Sequence, residues 1–266
     1  MNGSDRKSEW ASGDTYEPYV GRWSRLVARE FLAWLDVPTD MRWLDVGCGT
    51  GALSQIILEL ASPLAVQGID QSEGYVNYAR AQTADDRARF DVGDACALPY
   101  PAASYDVVVS GLALNFVPEP AAAVVEMSRV ARGGGTVALY VWDYAGEMQL
   151  MRYFWDAART LDPAAAELDE GRRFPICQPI ALTQLFQDAG LRNVDARAID
   201  VPTIFHSFDD YWTPFLGGQG PAPSYTMSLS EDRRRGLREL IRTHLPVNSD
   251  GAIHLIARAW VVRGER

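Results

Sequence analysis

The sequence predicts an α/β protein built on a doubly wound, mostly parallel sheet. Three observations carry that expectation. From Arg42 onward, short apolar runs alternate with helical patterns; the first run ends in the turn Gly47-Cys48-Gly49-Thr50-Gly51, which opens a helix; and carboxylates close the successive runs at Asp45, Asp70 and Asp94. At 266 residues, 47% apolar and 23% charged, the chain is long enough for one well-buried core and too apolar for wholesale disorder.

Tyr16 to Leu35 places Tyr19, Trp23, Leu26, Val27, Phe31 and Leu35 near helical spacing, so an amphipathic helix precedes the core and stops before Pro38. Strand and helix then alternate. Arg42 to Val46 is followed by Ala52 to Leu60, Leu64 to Ile69 by Tyr75 to Ala81, Ala88 to Val92 stands alone, Tyr105 to Val109 precedes Ala121 to Val130, and Thr136 to Trp142 ends the series. The rhythm breaks at Asp143 to Gln178, which reads as a loop, a helix from Glu147 to Leu161 and a polar connection. A helix from Ile180 to Ala189, closed by Gly190, leads to a strand from Val194 to Val201. Thr203 to Pro246 is aromatic and broken by Gly217, Gly218, Gly220, Pro221 and Pro223, with a charged helix from Ser230 to His244; Ile253 to Val262 is a continuous apolar strand. With no internal repeat or Pro/Ser linker, the expected organisation is one domain over 1–266: an N-terminal helical segment (1–38), a binding core (40–142) and two inserted lids (143–178 and 203–246).

Twenty-five basic against 35 acidic side chains give a net charge of −10, which disfavours nucleic acid and anionic lipid surfaces as partners. Cys48, Cys96 and Cys177 lack metal or disulfide spacing, so no metal is expected and a cytoplasmic setting is. No signal-peptide pattern and no apolar run long enough to span a membrane is present.

Glycines at the first strand end let the backbone turn sharply and approach a ligand, and the helix N-terminus adds exposed N–H groups. A dinucleotide turn reads G-x-G-x-x-G and faces a pyrophosphate; here the pattern is G-x-G-x-G, and Asp45 two residues earlier would oppose a phosphate and suit an ammonium. Asp70, 19 residues beyond Gly51, stands where a carboxylate accepts both hydroxyls of a ribose, and the Gly93-Asp94-Ala95 turn suits an exocyclic amine such as that of adenine. An amino-acid ammonium, a ribose diol and an adenine without phosphate describe S-adenosylmethionine.

At these residues the chain resembles the class I S-adenosylmethionine-dependent methyltransferases, and within them the small-molecule branch similar to ubiquinone/menaquinone-type enzymes. The resemblance rests on Leu44 to Gly51, Gly68 to Ser72, Gly93 to Ala95, Tyr105 to Ser110 with Asn115-Phe116, and Arg129 to Gly135; it covers about residues 40 to 142. It implies a seven-stranded, Rossmann-like sheet whose last strand, Ile253 to Val262, runs antiparallel. It also implies S-adenosylmethionine as cofactor, S-adenosylhomocysteine as its product, and cofactor roles for Asp45, Gly47, Cys48, Gly49, Asp70, Gln71, Asp94, Ala95 and Gly111. Tyr19 and Arg22 are the candidates for a segment folding over the methionine end, Arg22 towards the carboxylate. Where the family usually has proline before the fifth strand, Arg132 stands.

The implied reaction is methyl transfer to an O, N or C atom of a small, apolar or aromatic acceptor. Its expected walls are Asn115 and Phe116 after the fourth strand, Trp142 and Tyr144 after the fifth, and Trp212, Phe215 and Tyr225 in the second lid. His206 is the candidate catalytic base, against the plainer reading of an ordinary surface histidine. His254, in an apolar run, reads as a core residue; His244 as a cation at a helix C-terminus; Arg233-Arg234-Arg235 as a solvated helix face with i,i+4 pairs; and Asp106 as an anchor of local backbone away from the site. Methylation of a protein or tRNA, and cofactor binding without catalysis, are the alternative functions.

Overall fold

The computed structural model describes residues 22–217 and 220–266, with Arg22 described by its main chain alone. Tyr19 and the Arg22 side chain therefore lie outside the described residues. In chain order the regular elements are α1 (Arg22–Leu35), β1 (Arg42–Val46), α2 (Ala52–Leu60), β2 (Ala65–Asp70), α3 (Glu73–Gln82), β3 (Ala88–Val92), β4 (Tyr105–Gly111), α4 (Pro120–Val130), β5 (Ala131–Trp142), α5 (Gln149–Leu161), α6 (Glu170–Arg173), α7 (Pro179–Asp188), β6 (Arg192–Phe205), α8 (Phe208–Trp212), α9 (Pro221–Ser228), α10 (Glu231–His244) and β7 (Ile253–Glu265). Short 3₁₀ turns occupy Leu114–Phe116, Pro163–Glu167 and Thr213–Leu216.

The seven strands form one sheet in the order β3-β2-β1-β4-β5-β7-β6. β1 pairs in parallel with β2 and β4, β2 with β3, and β4 with β5, whereas β7 runs antiparallel to β5. The fold expected from the sequence is thus the one observed. β1 and β4 are buried on both faces because crossover helices cover a parallel sheet on each side, which is why Trp43-Leu44 and Val107-Val108-Val109 read as unbroken apolar runs.

By contact density the described chain divides into two compact units, and the division cuts through β6 and β7. One contains Ser24–Trp142, Ile176–Ile199 and Ala259–Arg266; the other contains Asp143–Pro175 and Asp200–Arg258, with Trp23. The two stretches read as inserted lids fall in the second unit, except for residues 176–178.

Several elements depart from the sequence reading for identifiable reasons. β5 begins at Ala131, and its register with β4 shifts between Tyr105 and Val107, so the run Arg132 to Gly135 bulges out of a strand instead of preceding one. Pro221 and Pro223, read as loop punctuation, sit in the first turn of α9, where a missing N–H leaves no intrahelical bond unmade. β7 alternates in burial: Ile253, Leu255 and Ala257 face inwards, and His254 points to solvent. The expectation of a buried His254 is corrected by that alternation, since an antiparallel strand with one solvated face places successive side chains on opposite sides.

Other expectations hold in detail. Asp106 accepts the Arg42 main-chain N–H at 2.7 Å and pairs with Arg132 at 2.7 Å, so the arginine in the family's usual proline position is tied down by the same anchor. The His244 ring lies 2.7 Å from the Leu240 carbonyl in the last turn of α10, and Arg235 pairs with Glu231 and Asp232 along that helix. Arg234 adds a contact the sequence did not signal: it donates to the Thr226, Met227 and Leu229 carbonyls and so closes the end of α9.

Candidate active site

The carboxyl ends of β1, β2 and β3 lie side by side, and the chain leaves each through the turn that the sequence singled out. At β1, Gly47, Gly49 and Gly51 all hold positive φ, at 73°, 52° and 86°. A Cβ on Gly47 would stand 2.5 Å from the Ala113 Cβ, whereas one on Gly49 would meet nothing within 4 Å. Only glycine fits beneath the β4 loop at position 47, and at 49 the turn opens onto free space where a ligand can approach the backbone.

The turn is stitched to the end of β2. The amides of Gly47 and Cys48 both donate to the Ile69 carbonyl, at 2.8 and 3.0 Å, and the Gly49 amide donates to Asp70 Oδ2 at 3.0 Å. Asp70 Oδ1 accepts the Ser72 amide at 2.8 Å. Burial raises the Asp70 pKa above its ordinary value, against the lowering effect of the Ser72 and Gly49 amides. Each carboxylate oxygen has two lone pairs, so one per oxygen is left to accept a hydroxyl, the pairing a vicinal diol offers.

Asp45, at the end of β1, is wholly buried. Its Oδ2 accepts the Ser54 hydroxyl at 2.7 Å, and its Oδ1 has no partner among the described residues. Burial pushes its pKa up to about 7, opposed by the Ser54 hydrogen bond and reinforced by the nearby Asp70 charge. The carboxyl is therefore sealed under the turn instead of standing open to a guest. An unpartnered acceptor at that depth favours positive charge above the turn through low-dielectric attraction, without direct contact.

After β3, Asp94 is exposed. Its Oδ1 accepts the Cys96 amide at 2.8 Å and its carbonyl the Ala97 amide at 3.1 Å, an Asx-type turn whose carboxylate also meets the Cys96 thiol. Gln71 is exposed at the end of β2, and Ala95 is half-buried. The Cys48 side chain packs with Val76, Ala79, Ala88 and Phe90, and burial raises its thiol pKa well above the ordinary value; its main chain alone belongs to the turn. At Gly111 a Cβ would lie 2.6 Å from the Tyr140 hydroxyl, so that position keeps the β4 end in close contact with β5.

The arrangement tests two kinds of guest. A pyrophosphate needs amide donors, and those of Gly47, Cys48 and Gly49 are spent on Ile69 and Asp70, with two carboxylates beside them. A phosphate-free adenosyl amino acid needs a diol acceptor, a carboxylate near its ammonium and room at the turn, which Asp70, Asp45 and Gly49 could supply. A methyltransferase-domain family profile matches residues 44–139, the stretch containing all of these groups. A demethylmenaquinone methyltransferase from Roseiflexus castenholzii is 34% identical over 180 residues, 61% of this chain and 72% of that protein. The chain belongs to the class I S-adenosylmethionine-dependent methyltransferases. A 2-methyl-6-phytyl-1,4-hydroquinone methyltransferase from Synechocystis is 30% identical over 188 residues, 69% of this chain; the chain spans 57% of that relative's length. A phosphoethanolamine N-methyltransferase from Haemonchus contortus, solved with phosphomonomethylethanolamine and S-adenosylhomocysteine, shares the fold at a TM-score of 0.56 and 15% identity, covering 92% of this chain and 52% of that one. S-adenosylmethionine is the cofactor of this family, and the site fits it.

Ser54 was missed by sequence reasoning. Its signal is a polar residue in the first turns of α2 amid the buried Leu53, Ile56 and Ile57, which places its hydroxyl on the face turned to β1. Glu170 was also missed: it is buried, it accepts the Trp155 indole N–H, and burial pushes its pKa up to about 7. The beginning of a polar connection gave no sign of it.

The residues expected to meet the acceptor divide between the two units. Asn115 is buried, with no partner for its Nδ2 among the described residues; Phe116 is half-buried and Trp142 buried, all in the sheet unit. In the second unit Phe215 stacks on Phe154 at 4.5 Å, Trp212 lies 6.1 Å from Phe215, Tyr225 lies 5.8 Å from Trp155, and Tyr144 packs on Phe174. These aromatics form the buried interior of their unit. His206 is exposed, and its main-chain N–H donates to Asp210 at 2.9 Å. Among the described residues no cluster of His, Cys, Asp or Glu could hold a metal, and no helix is long and apolar enough to cross a membrane.

Proposed function

We propose that the protein methylates an O, N or C atom of a small apolar or aromatic acceptor of the hydroquinone kind. Bound S-adenosylmethionine supplies a methyl group already activated on a sulfonium. The chain's own work is then positioning. Asp70 and Asp94 fix the adenosine end, the glycine turn and Asp45 favour the cationic amino-acid end, and the β4 loop closes over Gly47. Holding two reactants in one orientation contributes about 7 to 11 kcal/mol in favourable systems, enough that no covalent nucleophile is needed. A base is needed only for an acceptor that must lose a proton, and is worth about 10² to 10⁴ in rate; His206 is the proposed candidate.

The single observation that carries the cofactor half is the spending of the Gly47, Cys48 and Gly49 amides on Ile69 and Asp70, which leaves those amides unavailable to a phosphate and sets two carboxylates beside them. The acceptor half is supported by the hydroquinone and demethylmenaquinone named for the relatives, and by the aromatic side chains Phe116 and Trp142 that follow β4 and end β5. The net charge of −10 weighs against RNA as acceptor. The test is transfer of labelled methyl from S-adenosylmethionine into a panel of phenols and hydroquinones set beside protein and tRNA fractions. Label in the ring compounds alone supports the proposal, and label confined to a polymer fraction overturns it.

A further inference from the structure

The Asp94 turn would be a poor adenine reader if left to itself, because it is exposed and its own bonds are local. What fixes it lies on the next helix but one strand. On α4, Glu126 and Arg129 stand one turn apart and pair at 2.6 Å, with a second contact of 2.8 Å, so the guanidinium and carboxylate form a two-pronged unit. That unit grips the segment downstream of Asp94 at three main-chain atoms. Glu126 accepts the Leu98 amide at 2.8 Å, while Arg129 donates to the Leu98 carbonyl at 3.0 Å and to the Tyr100 carbonyl at 2.9 Å. Leu98 itself is buried, so the segment is held on its apolar side as well. The side-chain hydrogen bond from Arg129 lowers the Glu126 pKa, as a charge-assisted pair requires.

We infer that Glu126 and Arg129 are positioning residues for adenine recognition: they hold the Asp94–Tyr100 segment so that the Asp94 carboxylate is fixed where the exocyclic amine arrives. The inference rests on the cofactor reading above. Neither residue need touch the ligand. A loop of this length without the grip would sample many conformations, and ordering it on binding would cost affinity. The penalty falls on the hydrogen bond that distinguishes an amine from a carbonyl. It therefore changes selectivity, which a general loss of packing would not.

The experiment compares calorimetric binding of S-adenosylhomocysteine with that of S-inosylhomocysteine, in which a carbonyl replaces the amine, to the whole protein and to its Arg129→Ala, Arg129→Lys and Glu126→Gln variants. The wild type is expected to prefer the adenosyl compound by about tenfold or more, as a site built to accept an N–H does. Arg129→Ala should bring that ratio to within about twofold of unity, chiefly by weakening the adenosyl compound, and Arg129→Lys and Glu126→Gln should retain a clearly reduced, intermediate preference, because an ammonium cannot fork to two carbonyls and a glutamine still accepts the Leu98 amide but loses the ion pair. A fall in melting temperature with the ratio intact overturns the inference and leaves the pair a structural brace. Wild-type binding of both compounds with equal affinity overturns it as well. No binding of either compound to the wild type overturns the cofactor reading itself, and the inference with it. Should Arg129→Ala not fold, Glu126→Gln decides alone.

Discussion

Ser54 Oγ donates to Asp45 Oδ2 at 2.7 Å, while Asp45 Oδ1 has no partner among the described residues. It joins the first turns of α2 to the end of β1 directly under the glycine turn. Ser54→Ala would remove the side-chain hydrogen bond of this buried carboxyl, a loss of about 1–3 kcal/mol. It would also raise the Asp45 pKa further, since the Ser54 bond is what lowers it. Chemical denaturation checks the first effect, and a fall in cofactor affinity at neutral pH checks the second.

Cofactor binding is expected to depend on pH through Asp45. Its pKa of about 7 in the free protein means the carboxyl is partly protonated near neutrality. A cationic guest above the turn favours the ionised form and lowers that value, so binding releases a proton and tightens as pH rises through 7. The dissociation constant for S-adenosylmethionine should be several-fold weaker at about pH 6 than at about pH 7.5. Titrations in buffers of different ionisation enthalpy would report the released proton. In Asp45→Asn the slope should vanish; a slope that survives the substitution assigns it to another group.

Glu170 makes a separate prediction about stability. Its folded pKa of about 7 lies above the ordinary carboxylate value of 4.5, with burial the main cause, the Trp155 hydrogen bond and Arg152 opposing it, and Asp169 adding to it. Arg152 is itself paired with Asp169 at 2.5 Å. A raised folded pKa means the folded state holds the proton more tightly. The favourable contribution is therefore full below about pH 4.5 and is lost as pH rises towards 7. Glu170→Gln, which can still accept from Trp155, should remove that decline and be more stable than the wild type above pH 7 by on the order of 2 kcal/mol. Melting curves of both proteins across this range test it, and parallel curves would count against the assignment.

The first two glycines of the turn should fail differently. Gly47→Ala drives a Cβ into Ala113 at 2.5 Å and imposes a positive φ on alanine, so both fold stability and binding should suffer. Gly49→Ala meets open space, and its φ of 52° costs about 1–2 kcal/mol. Its main effect should fall on cofactor affinity, because the methyl occupies the space in front of the turn. Thermal unfolding together with binding separates the two, and equal loss of stability would contradict the geometry.

The cofactor crevice was legible in the sequence because it is local: a glycine turn, a strand end and an acidic residue are neighbours along the chain, and sheet topology brings the strand ends together. Asp106 was legible for the same reason. Ser54 was not, because one hydroxyl on an apolar helix face acquires meaning only when that face meets Asp45. The grip of Glu126 and Arg129 on Leu98 and Tyr100 spans about thirty positions, beyond what spacing reveals. The aromatics from Tyr211 to Tyr225 could be read as a lid or as an interior from composition alone; packing around Phe154 makes them the interior of their own unit.

The turn after β1 has given its Gly47, Cys48 and Gly49 amides to Ile69 and Asp70 and so favours an adenosyl amino acid over a phosphate. The most direct measurement is calorimetric titration of the purified protein with S-adenosylhomocysteine and, separately, with NAD. The expected result is single-site binding of the first, weakened about tenfold or more by Asp70→Asn, and no heat from the second. Saturable uptake of NAD by a protein that ignores S-adenosylhomocysteine would contradict it.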